Sequence, residues 1–215
     1  MAPTYFDPLA TDPGQARDVA RWRRAERTRL SGLRDGLGQT GRALVSDQIG
    51  AHLGAVLAER GAGRGAGRQP VLSGYWPIKG EPDLRPILAA LHRSGVTIAL
   101  PVVETRAAPL VFRRWTPETK MVRGDWNIPV PPPDFDVLTP DISLAPCLGW
   151  TDDCFRLGWG GGYFDRTLAI LAPRPLTIGI ALAMAHLPTI YPQPHDIPLD
   201  LILTEDGVAA TRTDR

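Results

Sequence analysis

Short apolar runs alternate with helix-like segments along most of the chain, and this alternation limits the possible folds more than any other feature. Apolar and often β-branched runs predict strands at 71–76, 96–103, 110–115, 176–182 and 201–204. Helical patterns cover residues 15–37, 41–60, 83–94 and 162–171. Strands interleaved with helices indicate an α/β fold with a mainly parallel sheet, in which ligands bind beyond the carboxyl ends of the strands.

The stretch RLGWGGGYFDR, residues 156–166, places four glycines within five positions before a predicted helix. Glycine lets backbone N–H groups approach a ligand, and such donors at a helix start form a site for phosphate oxygens. Arg156 can bind a phosphate through two hydrogen bonds, and Asp165 supplies the kind of oxygen that binds Mg²⁺. The stretch matches neither the P-loop nor the dinucleotide fingerprint. Phosphate binding is predicted, with a ligand-free strand-to-helix turn as the alternative.

The composition is that of an ordinary globular protein of 215 residues, 43% hydrophobic and 22% charged. A formal net charge of +1 gives no overall electrostatic reason to expect a nucleic acid or a membrane as partner. No apolar run approaches the roughly 20 residues needed to cross a bilayer, and the N-terminal stretch lacks the regions of a signal peptide. We therefore expect a cytoplasmic protein. Cys147 and Cys154 form no CxxC motif and are predicted to be reduced thiols.

Two segments are predicted to be flexible. Residues 1–14, with three prolines and a glycine, are predicted to form a flexible arm before a single α/β domain at 15–215. The glycine-rich segment GAGRGAGRQP, residues 61–70, is predicted to be a flexible loop. The first predicted helix between them carries many arginines, at positions 17, 21, 23, 24, 27, 29 and 34.

The glycine-rich stretch resembles the signature of the 5-formyltetrahydrofolate cyclo-ligase family. The resemblance extends, in order, to an arginine pair in the first helix, WPIKGEPDLRPIL at 76–88, the strand ending in Leu100-Pro101, WNIPVP at 126–131 and PHDIPLDLILTEDG at 194–207. It implies conversion of 5-formyltetrahydrofolate to 5,10-methenyltetrahydrofolate through a phosphorylated formyl intermediate. ATP is implied as co-substrate and Mg²⁺ as cofactor, with release of ADP and phosphate. It also implies the three-layer α/β/α fold of the sugar-phosphate isomerase and CoA-transferase superfamily.

The resemblance also implies site residues, position by position, but no covalent nucleophile. ATP is assigned to Arg23, Arg27, Arg156, Leu157, Gly158, Trp159, Gly160, Gly161, Gly162, Tyr163 and Phe164. The folate is assigned to Trp76, Glu81, Trp159, Gly160, Gly161, Gly162 and Tyr163. Asp165 and Asp196 are assigned to the metal ion. His195, next to Asp196, is predicted to orient its loop rather than to act as a base.

Other interpretations of the same residues remain open. An exposed arginine-rich face accounts for the remaining arginines of the first helix and is the alternative for the pair Arg23 and Arg27. The run EPDLRP also fits a simple helix start, with Pro82 and Asp83 near its positive end. Phe164 and Ala185 depart from the family pattern, which more often has tyrosine and glutamine there. Alternatives for the whole chain are a non-catalytic nucleotide- or folate-binding regulator and a sugar-phosphate isomerase. A monomer or weak homodimer is expected.

Overall fold

The computed structural model describes residues 13–59 and 70–213. The helices of these residues are α1 Pro13–Gly36, α2 Gly38–Glu59, α3 Arg85–Arg93 and α4 Tyr163–Ile170. The strands of these residues are β1 Val71–Ser73, β2 Thr97–Val102, β3 Val111–Trp115, β4 Val122–Arg123, β5 Pro129–Val130, β6 Ile142–Pro146, β7 Gly149–Trp150, β8 Arg156–Leu157, β9 Leu176–Ile180, β10 Leu201–Thr204 and β11 Gly207–Thr211. None of the described helices is both long and apolar enough to cross a membrane.

A seven-stranded sheet in the order β11-β10-β9-β6-β1-β2-β3 forms the centre of the described chain. Its five inner strands run parallel to one another. The two outer strands, β3 and β11, are antiparallel to their neighbours. The predicted α/β fold with a mainly parallel sheet is confirmed. Two small antiparallel pairs, β4 with β5 and β7 with β8, lie outside this sheet.

The two faces of the sheet carry different side chains because residues along a strand alternate between faces. In the observed register one face presents large buried aliphatic residues, namely Leu72, Ile98, Leu100, Ile142, Leu144, Ile178, Ile180, Leu201 and Leu203. These belong to the same hydrophobic core as Leu53 of α2 and Leu88 of α3. On the opposite face Val71, Ala99 and Phe112 form a smaller cluster against Leu171, which follows α4. Helices therefore pack against both faces.

The structure corrects several details of the predicted elements. The central strand β6 and the edge strand β11 were not predicted, although both belong to the main sheet. The β1 strand ends at Ser73 rather than at residue 76, and the following residues turn toward the site described below. Helix α1 begins at Pro13, so the last two residues of the predicted arm are helical. The rest of that arm, and residues 61–69 of the predicted loop, lie outside the described residues.

The large-residue face of the sheet makes a testable contribution to stability. Ile178 of β9 is 0% exposed, and Ile178→Ala removes buried methyl groups and leaves a cavity. We expect the free energy of unfolding to fall by about 2–5 kcal/mol in urea titrations. The matched control is Ile170→Ala at the end of α4, where the side chain is 66% exposed and the expected change is below about 0.5 kcal/mol. Equal losses in the two variants would contradict this assignment of the core.

Candidate active site

A cavity of about 670 Å³ opens where the inner strands β1, β2 and β6 end. Pro101 lies near the end of β2, Pro146 is the last residue of β6, and Trp76 follows β1. The cavity wall contains all of the predicted ATP-, folate- and metal-binding residues, namely Arg23, Arg27, Trp76, Glu81, Arg156, Leu157, Gly158, Trp159, Gly160, Gly161, Gly162, Tyr163, Phe164, Asp165 and Asp196. Residues far apart in the sequence are thus brought to one place, at the strand ends where α/β proteins bind ligands.

The glycine-rich loop connects β8 to α4 along one side of the cavity. Gly160 has φ +100° and Gly162 has φ +65°, conformations that are strained for residues other than glycine. Gly162 precedes the first residue of α4, and no side chain caps this helix. Backbone N–H groups at a helix start attract anions, and the glycines directly before α4 line the cavity.

Arg27 of α1 holds this loop from the opposite side. Its Nε donates a 2.7 Å hydrogen bond to the carbonyl oxygen of Gly158. Its guanidinium carbon lies 3.3 Å from the position that a Cβ atom on Gly160 would occupy, so a side chain there would crowd the arginine. Burial, followed by the charge of nearby Arg23, lowers the pKa of Arg27. A partly buried cation thus lies against bare backbone, which is a favourable place for an anion.

Arg23 forms an ion pair with Asp196 across the cavity mouth. Its Nη1 donates to Asp196 Oδ1 at 3.2 Å, and the backbone N–H of Gln193 donates to Asp196 Oδ2 at 2.7 Å. Arg23 also donates to the carbonyl oxygens of Ile190 and Tyr191, each at 2.9 Å. Burial alone raises the pKa of Asp196, but the hydrogen bonds from Arg23 and Gln193 outweigh it and the pKa is lowered. Arg23 therefore fastens the 190–196 segment to α1.

A second buried ion pair joins the two ends of the glycine-rich stretch. Arg156 Nη2 lies 3.1 Å from Asp165 Oδ2, and the two side chains are only 7% and 12% exposed. Asp165 Oδ1 accepts the backbone N–H of Ile197 at 3.2 Å. The Nε of Arg156 is buried without a hydrogen-bond partner among the described residues. This pair fixes the start of α4 relative to β8.

The residues present fit a magnesium ion that is carried mainly by a nucleotide. The described residues contain no group of three or more His, Cys, Asp or Glu side chains that could hold a metal ion by themselves. Asp165 and Asp196 nevertheless both line the cavity. Mg²⁺ in phosphate sites usually takes one or two carboxylates and completes its coordination with phosphate oxygens and water. The two carboxylates beside the glycine-rich loop supply the protein ligands that such an ion requires.

Glu81 is a buried acid on the other side of the cavity, with 7% of its surface exposed. Its Oε1 accepts a 3.0 Å hydrogen bond from the indole Nε1 of Trp159, and its Oε2 accepts the backbone N–H of Ile78 at 3.0 Å. Burial raises the pKa of Glu81 despite these two bonds. A buried carboxyl group with unused lone pairs can bind a ligand that carries paired N–H donors.

The helix-start interpretation of EPDLRP accounts for part of this segment. Asp83 accepts the backbone N–H of Arg85, the first residue of α3, at 3.0 Å. The Arg85 side chain pairs with the same carboxylate and lies 4.8 Å above the ring of Trp76. Asp83 therefore has a structural role at α3. Glu81 has no part in that helix start and faces the cavity instead.

Arg34 was not predicted to take part in this region and is not on an exposed face. The exposed-face interpretation fits Arg17, Arg21, Arg24 and Arg29, but Arg34 is only 1% exposed. Its Nη2 donates to the carbonyl oxygen of Cys147 at 2.8 Å, while Nε and Nη1 have no hydrogen-bond partner among the described residues. Its charge acts to lower the pKa of Glu81, against the effect of burial.

The cavity wall also contains residues that were not predicted, among them Lys79 and Trp126. Lys79 has φ 48°, and its Nζ lies 4.3 Å from the centre of the Trp159 ring. Trp126, at the tip of the β4–β5 hairpin, is 63% exposed and lies edge-on to Tyr163 at 5.5 Å. His195, which was predicted to orient its loop, is also on the wall, with Nε2 3.9 Å from Asp196 Oδ1. The blocks WPIKGEPD and WNIPVP contained the signal for Lys79 and Trp126.

The raised pKa of Glu81 predicts how this residue affects stability as the pH changes. Because the folded-state pKa lies above the ordinary value of 4.5, the folded chain binds more protons than the unfolded chain between the two pKa values. The stability contributed by protonated Glu81 is fully present below pH 4.5 and is lost as the pH rises through the raised pKa.

Glu81→Gln removes this titration while keeping the size of the side chain. We expect the free energy of unfolding of the variant, minus that of the wild type, to increase between about pH 4 and about pH 8. The increase should be about 1.4 kcal/mol for each unit by which folding raises the pKa. Urea unfolding at both pH values measures the difference. A difference that does not change with pH would show that burial leaves this carboxyl group unperturbed.

Comparison with known proteins identifies the family to which this chain belongs. The sequence profile of the 5-formyltetrahydrofolate cyclo-ligase family matches residues 19–205. The 5-formyltetrahydrofolate cyclo-ligase of Mycolicibacterium smegmatis is 31% identical over 147 residues, which are 64% of this chain and 75% of that protein. The Escherichia coli K12 enzyme of the same name is 29% identical over 140 residues, which are 62% of this chain and 77% of that protein.

Solved structures show the same fold. The NMR structure of Aquifex aeolicus 5,10-methenyltetrahydrofolate synthetase has a TM-score of 0.74 and 24% identity, covering 90% of this chain and 94% of that one. The 5,10-methenyltetrahydrofolate synthetase of Mycoplasma pneumoniae has a TM-score of 0.68 and 22% identity, covering 85% of this chain and 98% of that one. The family is established by the profile match, which covers every residue of the cavity wall, and by the 31% identical relative: the chain is an enzyme of the 5-formyltetrahydrofolate cyclo-ligase family.

Proposed function

We propose that this protein converts 5-formyltetrahydrofolate to 5,10-methenyltetrahydrofolate with consumption of ATP and release of ADP and phosphate. One observation carries the proposal. A single cavity contains a bare glycine loop held by a partly buried arginine, and it also contains a buried acid that can bind the folate ring. The glycine loop with its arginine suits a nucleoside triphosphate, and the buried acid suits a ring with adjacent N–H donors.

The reaction itself explains why the site needs no covalent nucleophile. The formyl group on N5 is an amide, and its oxygen is a poor leaving group. Transfer of the γ-phosphoryl group to that oxygen breaks the bond to ADP and forms a phosphorylated imidate-like intermediate. The lone pair of N10 then attacks the formyl carbon, N10 loses its proton, and the C–O bond breaks to release phosphate. Catalysis then consists of positioning the reactants and stabilising charge.

In this proposal the nucleotide phosphates lie against residues 158–162 and the start of α4. The backbone N–H groups and the guanidinium group of Arg27 hold the γ-phosphate while charge develops on it. Arg156, with one unpartnered N–H, lies at the base of the same loop. Arg23 contributes by holding the 190–196 segment in place and by its charge. Asp165 and Asp196 are the residues that would hold Mg²⁺, which when bound with the nucleotide would neutralise phosphate charge.

The folate ring lies on the opposite side of the cavity in this proposal. Glu81 accepts N–H groups of the pterin, and Trp76, Trp159 and Tyr163 supply apolar walls beside it. Because Glu81 is buried, a hydrogen bond to it is stronger than one to an exposed acid. The formyl group then lies between the pterin and the glycine loop, where the γ-phosphoryl group is presented.

Wider features of the protein are proposed with this function. We propose that residues 15–215 form a single domain of the sugar-phosphate isomerase and CoA-transferase superfamily with three layers. We also propose a cytoplasmic protein that acts as a monomer or weak homodimer and needs neither a nucleic acid nor a membrane. Helices on both faces of a mainly parallel sheet support the layered arrangement.

The direct test is an assay with purified protein, 5-formyltetrahydrofolate, ATP and Mg²⁺, followed by the absorbance of the methenyl product. We expect product only when all three components are present, with one ADP formed per methenyl group. Nucleotide binding without ADP formation would instead support a non-catalytic regulator. Product formed without ATP would contradict the proposed phosphoryl transfer.

Arg27→Met tests the proposed phosphate contact. The change removes the guanidinium group and keeps an apolar stem, so we expect ATP to bind at least about tenfold more weakly, as for one lost charged hydrogen bond. The dissociation constant of the folate should change less than that of ATP. The matched control is Arg24→Met, an exposed arginine of the same helix, which should leave both constants unchanged. Equal weakening of both ligands by Arg27→Met would contradict the assignment.

Asp165→Asn tests the proposed metal contact. We expect turnover to fall by at least about 100-fold, because an amide is a poor Mg²⁺ ligand and the loss of charge also unpairs Arg156. Asp152→Asn, at a carboxylate whose side chain is 81% exposed and pairs with His186, is the control. Near-normal turnover of Asp165→Asn at saturating Mg²⁺ would remove Asp165 from the metal site.

A further inference from the structure

Trp159 connects the two halves of the cavity. It belongs to the glycine-rich loop, between Gly158 and Gly160. Its side chain extends away from that loop, and the indole Nε1 donates a 3.0 Å hydrogen bond to Glu81 Oε1, on the segment between β1 and α3. The Nζ of Lys79, from the same segment, lies 4.3 Å from the centre of the indole ring. The Trp159 side chain thus makes two contacts with the segment that carries Glu81.

The same loop is fastened to α1 on its other side. Arg27 Nε donates to the carbonyl oxygen of Gly158, the residue directly before Trp159. Gly160, directly after it, has a backbone conformation that favours glycine and lies against the Arg27 guanidinium. A loop built from glycines loses much conformational freedom when it is ordered. Whatever orders residues 158–162 therefore also fixes the position of the Trp159 indole.

Glu81 depends on this indole for one of its two internal hydrogen bonds. Its other oxygen accepts the backbone N–H of Ile78, which belongs to the same local segment. With 7% of its surface exposed, Glu81 has little water available to replace a missing donor. Loss of the Trp159 donor would leave a buried carboxylate oxygen without its protein partner and free to rotate away from the ligand. The orientation of the acid thus follows the position of the loop.

We propose that Trp159 is a positioning residue that couples the nucleotide and the folate, so that each ligand binds more tightly when the other is present. This inference rests on the proposed function, because it assigns the two ligands to the loop and to Glu81. Phosphate oxygens on the loop amides order Trp159, and Trp159 then holds Glu81 ready for the folate N–H groups. The folate then binds to an acid that is already oriented, so less of its binding free energy is lost in orienting that acid.

Thermodynamic linkage makes the proposal quantitative. If the nucleotide tightens folate binding by some factor, the folate must tighten nucleotide binding by the same factor. One hydrogen bond between the two half-sites predicts a factor of about ten, within the usual range for coupled sites. We call the coupling ratio the dissociation constant of the folate without nucleotide divided by its value with nucleotide. Substitution of a wall residue with a merely structural role would weaken the binding of one ligand or both without changing this ratio.

The test measures binding of 5-formyltetrahydrofolate by calorimetry, with and without a saturating non-hydrolysable ATP analogue and Mg²⁺. We expect the analogue to tighten folate binding about tenfold in the wild type. Trp159→Phe keeps an aromatic ring but lacks the N–H donor. The coupling ratio of this variant should fall to within about twofold of one. Trp159→Leu, which also removes the contact with Lys79, should give the same result, so the test does not depend on one variant folding.

Trp126→Phe is the matched control. Trp126 is another tryptophan of the cavity wall, and it contacts Tyr163 rather than Glu81. The dissociation constants of the Trp126→Phe variant for the two ligands can change, but its coupling ratio should remain that of the wild type. A wild type that binds both ligands with a ratio near one, or a Trp159→Phe variant that keeps the wild-type ratio, would overturn the coupling and leave the proposed function intact. A wild type that binds neither ligand would overturn both.

Discussion

A loop that offers its backbone to a ligand has few side chains with which to hold its own shape, and this constraint governs the site. Residues 158–162 are fixed by neighbours instead. Arg27 holds the Gly158 carbonyl from α1, the Arg156–Asp165 pair holds the two ends of the stretch, and Trp159 reaches across to Glu81. These contacts come from three separate parts of the chain. The loop is therefore only as well ordered as the fold around it.

The sheet provides that order. Its inner parallel strands place the segments after β1, β2 and β6 side by side, and the large aliphatic residues on one face pack them against α2 and α3. The buried ion pairs are poor sources of net stability, since the cost of removing charges from water offsets their attraction. They have a different use here. Arg23 with Asp196 joins segments distant in sequence, and Arg156 with Asp165 joins the two ends of the glycine-rich stretch, both at the same cavity.

Much of this arrangement could be predicted from the sequence, because the relevant signals are local. Apolar runs gave the class of fold, and the glycine-rich stretch marked one wall of the cavity. The strand β6, ISLAP, lies at the centre of the sheet but was missed, because Ser143 interrupts its few apolar residues and Pro146 ends it. The strand β11 begins at Gly207, the second residue of the pair Asp206–Gly207, and such an Asp-Gly pair is a hairpin signal. Arg34 was misassigned because burial of a charge depends on distant residues such as Cys147.

The central claim is that the bare loop and Arg27 hold the terminal phosphate while Glu81 holds the folate in the same cavity. It is tested most directly by a crystal structure with 5-formyltetrahydrofolate, a non-hydrolysable ATP analogue and Mg²⁺. The account predicts γ-phosphate oxygens within hydrogen-bond distance of the Gly160–Gly162 amides and of Arg27, with the pterin on Glu81. Phosphates bound elsewhere, with the loop amides turned away from them, would contradict it.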